Sequence, residues 1–245
     1  MGKFLGSYLE YIVLLSGKSF LDLYEIYVPL QSTSDKVDMG DHFFRYGRQE
    51  TDYLKRKDKR MAELIKRVGM VRRPVIPDLF EALVHSIVGQ QISTKAHATV
   101  WARLQQRLGT VDALSVLSLS PEQLQSLGLS CRKVGYIRSI AEKVRSGALD
   151  FHSLSELSDA EVIQRLTALD GVGVWTAEML LLHSLQRSDV LRFGDLGIHR
   201  RLQLLYHHRE MPRARFERYR CRYSPYGSVA SIYLWALATG EVGPW

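Results

Sequence analysis

"LDGVGVWTAEML", residues 169–180, sets two glycines, Gly171 and Gly173, at the edge of an apolar run. The stretch before it, "SDAEVIQRLTALDG", has helical spacing and opens on Ser158 with Glu161 three residues later, a capping-box signature. The stretch after it, "GVWTAEMLLLHSL", is helical again. Two helices are thus predicted around the turn Asp170-Gly171-Val172-Gly173. Glycine tolerates positive φ and lets another backbone approach closely. A helix that starts just after such a turn points unpaired N–H groups outward and makes an anion site. A plain glycine-capped turn between two helices explains the same residues, so the turn alone leaves both readings open.

Outward from the turn, most of the chain repeats one scheme. "QETDYLKRKDKRMAELIKRVG" carries Tyr53, Leu54, Met61, Leu64, Ile65 and Val68 at helical spacing, with Gly69 as a stop signal. "DLFEALVHSIVGQQIS" follows Pro77 and has Asp78 as its cap. "TKAHATVWARLQQRLG" ends at Gly109. "SPEQLQSLG" opens with Ser120 as cap and Pro121 in the first helical position. "CRKVGYIRSIAEKVRSG", "GDLGIHRRLQLLYHH" and "SVASIYLWALATG" extend the series. Strand-period alternation is nearly absent after residue 50, so the expected fold is all-α with short connections. Residues 1–44 form a separate N-terminal extension, rich in aromatic and β-branched residues and closed by "QSTSDKVDMGD". A small β-rich cap and an unordered lead-in both fit it.

Bulk properties narrow the class. The 245 residues suit one large domain or two small ones, and no apolar run approaches the length of a membrane span. "KFLGSYLEYIVLLSG" imitates a signal peptide, but Glu10 interrupts its apolar part. Two distant cysteines, Cys131 and Cys221, are too few for a four-cysteine zinc or iron–sulfur site and suggest a reduced, cytoplasmic protein. A net charge of +7 favours an anionic partner, nucleic acid above all. His207 and His208 point in different directions on a helix and have no suitably spaced third ligand.

About one helix beyond the glycine turn comes "VLRFGDLGIHRR", in which Asp195 opens a helix. A carboxylate there is a routine N-cap.

The combination resembles the helix–hairpin–helix (HhH-GPD) DNA glycosylase superfamily, with its glycine-rich hairpin and trailing aspartate. "FEALVHSIVGQQIS" and "GLSCRKVGYIRSIA" are similar to segments of its 3-methyladenine DNA glycosylase II branch. The resemblance covers roughly residues 45–240, with the hairpin at about 159–185. It implies two helical subdomains with a cleft between them. It also implies a monomeric base-excision repair enzyme that flips a nucleotide out of double-stranded DNA and hydrolyses the N-glycosidic bond of an alkylated purine. Asp195 becomes the catalytic residue, and Trp175, Met179 and Trp235 the walls of the base pocket. Core packing explains Met179 and Trp235 equally well.

The resemblance assigns DNA contacts to Gly171, Val172, Gly173 and Thr176. It places Gln91 where relatives insert a side chain into the base stack, with Gln90 beside it. One related enzyme carries leucine there, so Gln91 is a departure. It further implies a monovalent cation on the backbone carbonyls of Thr167, Leu169 and Val172, and neither another cofactor nor an iron–sulfur cluster. Strand-cutting relatives carry a lysine nucleophile where this chain has Trp175, so a monofunctional enzyme is expected. Asp170 replaces a frequent proline, and Gly227 in "YSPYGSVAS" replaces a usual arginine. Arg72, Arg73, Lys95, Arg132, Lys133, Arg200 and Arg201 are expected as a basic background for phosphates. A non-catalytic helix–hairpin–helix DNA-binding protein, or a same-fold glycosylase for an oxidised or mismatched base, remain the alternatives.

Overall fold

A computed structural model of the chain describes residues 43–237. Twelve α-helices are found among the described residues: α1 Arg48–Lys57, α2 Lys59–Val68, α3 Leu79–Gly89, α4 Thr94–Leu108, α5 Ala113–Leu117, α6 Pro121–Ser126, α7 Cys131–Arg145, α8 Asp159–Thr167, α9 Val174–His183, α10 Leu196–Tyr206, α11 Arg213–Tyr223 and α12 Gly227–Ala236. No sheet forms among these residues; a single antiparallel bridge joins Phe43 to Pro74. The expected N-terminal cap lies outside the described residues except for its last two. Of these, Phe44 is buried and donates its amide to the Arg73 carbonyl (2.8 Å).

The helices fall into two groups. Helices α1, α2, α10, α11 and α12 pack on one another, and α3 to α9 form the second set. One apolar cluster runs through both.

At the centre lies an antiparallel pair, α3 and α9. Helix α3 buries every residue from Leu79 to Gly89 except Glu81, and α9 buries its whole second half, Met179 to His183. A helix apolar on nearly all sides belongs inside a domain. Both ends of the pair are tied. Where α3 ends, Gln90 donates its side-chain amide to the Gly171 carbonyl (2.9 Å). Near its start, Ile76 N donates to the His183 carbonyl (2.9 Å), and Ser184 Oγ to that of Pro77 (3.3 Å). The pair therefore presents two turns side by side, 90–93 and 168–173.

Local signals explain most boundaries. Asp78, Ser120 and Ser158 cap their helices, Pro121 stands in the first turn of its own, and Gly69 and Gly109 stop theirs at positive φ. Two features go beyond the sequence reading. The periodic run 49–69 is two helices, because Asp58 takes an extended conformation and accepts the amides of Arg60 and Met61 (2.9 Å each). Its other oxygen takes the guanidinium of Arg222. The arginine-rich segment "RARFERYRCRY" is also a helix, anchored by Phe216, Tyr219 and Tyr223.

Asp58 thus joins α1, α2 and α11. Loss of a cap together with a half-buried ion pair costs about 2 kcal/mol. Asp58→Ala should lower the unfolding free energy by that much, read as a lower urea midpoint with an unchanged slope; an unaltered midpoint would show that the three helices hold together without it.

Candidate active site

The hairpin is built from main-chain geometry. Helix α8 starts at the Ser158–Glu161 capping box and ends at Thr167. The chain then turns, Leu169 N donating to the Leu166 carbonyl (3.1 Å) and Val172 N to that of Leu169 (3.2 Å). Gly171 takes φ +80°, and a Cβ added there would stand 2.2 Å from the Tyr136 ring. Only glycine fits. Gly173 caps α9 with no side chain, so the first-turn amides have no acceptor within the helix and face outward. Gly173 and Val174 are exposed and Trp175 is half-buried, whereas the side chains of Val172 and Thr176 are buried. Thr176 therefore offers this surface its main chain and not its hydroxyl.

Asp195 sits where the two helix groups meet. It caps α10, accepting the Ile198 amide on Oδ1 (2.9 Å) and the Trp235 indole Nε1 on Oδ2 (3.2 Å). The residue is 4% exposed. Burial raises its pKa above the ordinary carboxylate value; the donors of Ile198, Trp235 and Gly197 and the nearby Arg201 work the other way. Its own amide closes a turn onto the Arg192 carbonyl (3.3 Å).

Sequence reasoning missed a second carboxyl group. Glu178, on α9, has a side chain only 13% exposed, and Arg192 Nε lies 3.6 Å away. Burial raises its pKa; Arg192 opposes the rise and Asp195 adds to it, which places the two carboxyl groups in electrostatic reach of each other. The signal was available as the single charge in "VWTAEMLLL".

The expected pocket residues separate. Trp175 alone remains partly open. Met179 is packed in the core. Trp235 is buried as well, its ring stacked with His183 (5.8 Å between centroids) and covered by the Arg73 guanidinium (5.2 Å). Its contribution here is the hydrogen bond to Asp195.

The basic residues separate too. Arg72, Lys95, Arg132 and Arg200 are exposed. Arg73 lies on Trp235, and Lys133 turns inward, donating to the carbonyls of Val88 (2.8 Å) and Gln90 (2.7 Å). Gln91 is exposed and Gln90 half-buried. At Gly227 the space is filled: a Cβ would stand 2.6 Å from Asp189 Oδ1, the atom that accepts the Gly227 amide (3.0 Å). An arginine there would not fit this packing, so its absence removes no surface anchor. His208 bonds Tyr219 through Nε2 (2.7 Å), and no group of three metal-ligating side chains is found among the described residues.

A glycine hairpin that opens a buried helix, and a buried, hydrogen-bonded aspartate supported from that helix's other end, on an all-α frame, define a class, and comparison with known proteins names it. Residues 84–222 match the HhH-GPD superfamily of base excision DNA repair proteins, and the chain belongs to that superfamily. It is 31% identical over 187 residues to DNA-3-methyladenine glycosylase 1 of Schizosaccharomyces pombe, spanning 72% of this chain and 80% of that one. The crystal structure of a DNA-3-methyladenine glycosidase from Bacillus halodurans superposes with a TM-score of 0.71 at 38% identity, covering 80% of this chain and 92% of that one. A 3-methyladenine DNA glycosylase of S. pombe in complex with abasic DNA gives 0.66 at 27%, covering 80% and 98%.

Trp235→Phe removes one donor from the Asp195 carboxylate, so the carboxyl pKa should rise further. A carbon-13 carboxyl titration by NMR checks this; a pKa that stays put or falls would mean that the indole does not stabilise the charge.

Proposed function

We propose that the protein is a monofunctional DNA glycosylase of base-excision repair. It releases alkylated purines of the 3-methyladenine and 7-methylguanine types from duplex DNA and leaves an abasic site. The observation that carries the reading is Asp195: a buried carboxyl group that accepts a helix-start amide and an indole, at the far end of the helix that the glycine hairpin opens. The 3-methyladenine names of the relatives support the choice of substrate.

The chemistry follows from the residue types. Departure of the base builds positive charge on the deoxyribose, as in other glycoside hydrolyses. A fixed carboxylate in a site sheltered from water stabilises that charge. It also orients or deprotonates the attacking water. A base alkylated on a ring nitrogen is already cationic and leaves with little general-acid help. The nucleotide must first leave the stack. Asp195 is nearly covered in the DNA-free chain, so the incoming sugar has to displace what covers it. Trp175, at the position of the lysine nucleophile in strand-cutting relatives, has no amine to attack the sugar. Its partly open ring suits stacking and cation–π contact with a cationic base.

The hairpin would hold the DNA backbone through main-chain amides. The carbonyls of Thr167, Leu169 and Val172 are the candidate ligands for a monovalent cation that would bridge it to a phosphate. Thr167, as the last residue of α8, has a carbonyl with no donor inside its helix, which suits that use. Leu169 already accepts the Val172 amide and has one lone-pair direction left.

Methylated duplex DNA tests the reading. Wild-type protein should release free methylated base, and Asp195→Asn should do so about 10²–10³-fold more slowly with DNA binding retained. Equal release from both proteins would remove Asp195 from its role. Tight binding without release from any lesion would favour a non-catalytic binding protein. Strand breaks without added alkali would contradict the monofunctional assignment.

The pH profile gives a further check. Asp195 acts as the carboxylate, so single-turnover release should fall as pH drops through its folded pKa. Burial raises that pKa, so the fall should begin above the range of an ordinary aspartate. A rate flat down to that ordinary range would contradict it.

A further inference from the structure

We propose that helix α7 sets the spacing between the Gln90–Gln91 turn and the hairpin, and that Lys133 is the positioning residue that holds this turn ready to keep a nucleotide out of the stack. The proposal rests on the DNA glycosylase reading and concerns a residue that touches neither the sugar nor the base.

Lys133 stands in the first turn of α7, where a cation is unfavourable for its own helix dipole. Something outside α7 must compensate. The compensation is the end of α3, whose last carbonyls lack donors. Lys133 Nζ donates to two carbonyls there, Val88 at 2.8 Å and Gln90 at 2.7 Å. Both bonds are short and charge-assisted, the stronger kind. Half-burial of the ammonium group lowers its pKa, and the side chain faces carbonyls instead of solvent.

The Gln90 carbonyl belongs to the peptide that leads into Gln91. Gln91 sits at φ +59°, in the left-handed region that a residue other than glycine seldom adopts. Such conformations persist where neighbouring groups over-determine them. Lys133 is a group that does so here. It fixes the peptide ahead of the strained residue, and the Gln91 side chain is left exposed.

A second tie runs to the hairpin. Gln90 Nε2 donates to the Gly171 carbonyl (2.9 Å), and the Tyr136 ring lies directly under Gly171. Lys133 and Tyr136 are three residues apart, on one side of α7. One rigid helix therefore supports both turns at once. A side chain that fills the gap left by a flipped base acts best when its loop is ordered before binding, because ordering it afterwards would cost affinity. Lys133 supplies that order. It is not a phosphate contact, although its charge and its place in the sequence suggested one.

The full chain, as wild type, Lys133→Met, Lys133→Arg and Gln90→Leu, tests this with two duplexes. The first carries 2-aminopurine beside a tetrahydrofuran abasic analogue, and its fluorescence reports whether the gap in the stack is held open. Wild type should raise the signal at saturation. Lys133→Met and Gln90→Leu should raise it less than half as far, and Lys133→Arg should restore most of it. The second carries 7-methylguanine, either paired with cytosine or opposite an abasic analogue, where extrusion is easier. Lys133→Met should slow release from the paired site about 10-fold, the usual effect of losing bonds to a charged donor, and from the unpaired site far less.

Full fluorescence enhancement with both variants would overturn the proposal, as would equal slowing on the two duplexes. So would uniform weakening of binding with a shallower salt dependence, which would mark Lys133 as a phosphate contact. If Lys133→Met fails to fold by circular dichroism, Gln90→Leu, which leaves the lysine in place, decides. Fluorescence enhancement without base release by wild type would sink the glycosylase reading while the positioning role is still judged by the signal.

Discussion

A buried carboxylate is the constraint around which this molecule is arranged. Removing an ionised group from water costs several kcal/mol unless hydrogen bonds replace the lost solvation. For Asp195 the replacements come from different parts of the chain. Its own helix contributes the Ile198 amide, and α12 contributes the Trp235 indole. Trp235 is itself held by His183 at the end of α9 and by Arg73 in the link between α2 and α3. The site therefore exists only when both helix groups are assembled. The same neighbours that donate to Asp195 also keep water away, and a low-dielectric surrounding is the condition in which a carboxylate interacts most strongly with an adjacent positive charge.

The second constraint is the antiparallel pair α3 and α9. Helix α3 is almost wholly buried and α9 is buried from Met179 to its end, so neither can shift without opening the core. Their ends deliver the turn at Gln91 and the hairpin at Gly171 to the same surface, joined by the Gln90 bond. The far end of α9 reaches Trp235 and so Asp195. One buried helix thus carries the hairpin at its first residue and supports the carboxylate site at its last. Any ligand that pulls on the hairpin pulls on a helix that ends against the indole bound to the catalytic candidate.

Much of this was legible in the chain. Helix caps are local, and Asp78, Ser120, Ser158 and Asp195 all cap as their spacing predicts. The two-glycine turn also showed itself, because glycine marks where a side chain has no room. Long-range partners were not legible. Nothing adjacent to Asp58 announces Arg222, and nothing near Lys133 announces the carbonyls of α3. Glu178 was overlooked because its significance depends on Arg192 and Asp195 folding back toward it. Gly227 looked like a missing arginine until its neighbour Asp189 was seen filling the space.

Charge illustrates the difference between composition and use. A net charge of +7 suggests many phosphate contacts. Yet several basic side chains are occupied at helix ends and turns. Arg187 donates to the carbonyls of Leu154, Ser155 and Leu157, Arg60 to Leu205, Arg138 to Leu119 and Lys133 to Val88 and Gln90. A fold of many short helices leaves orphan carbonyls at every helix end, and long cationic side chains are well suited to reach them. These groups still contribute to the long-range positive field. They are not available as individual phosphate ligands. Exposed cations such as Arg72, Lys95, Arg132 and Arg200 remain open to an anion, while helix-start amides such as those after the hairpin carry no formal charge and leave no mark in a count of lysines and arginines.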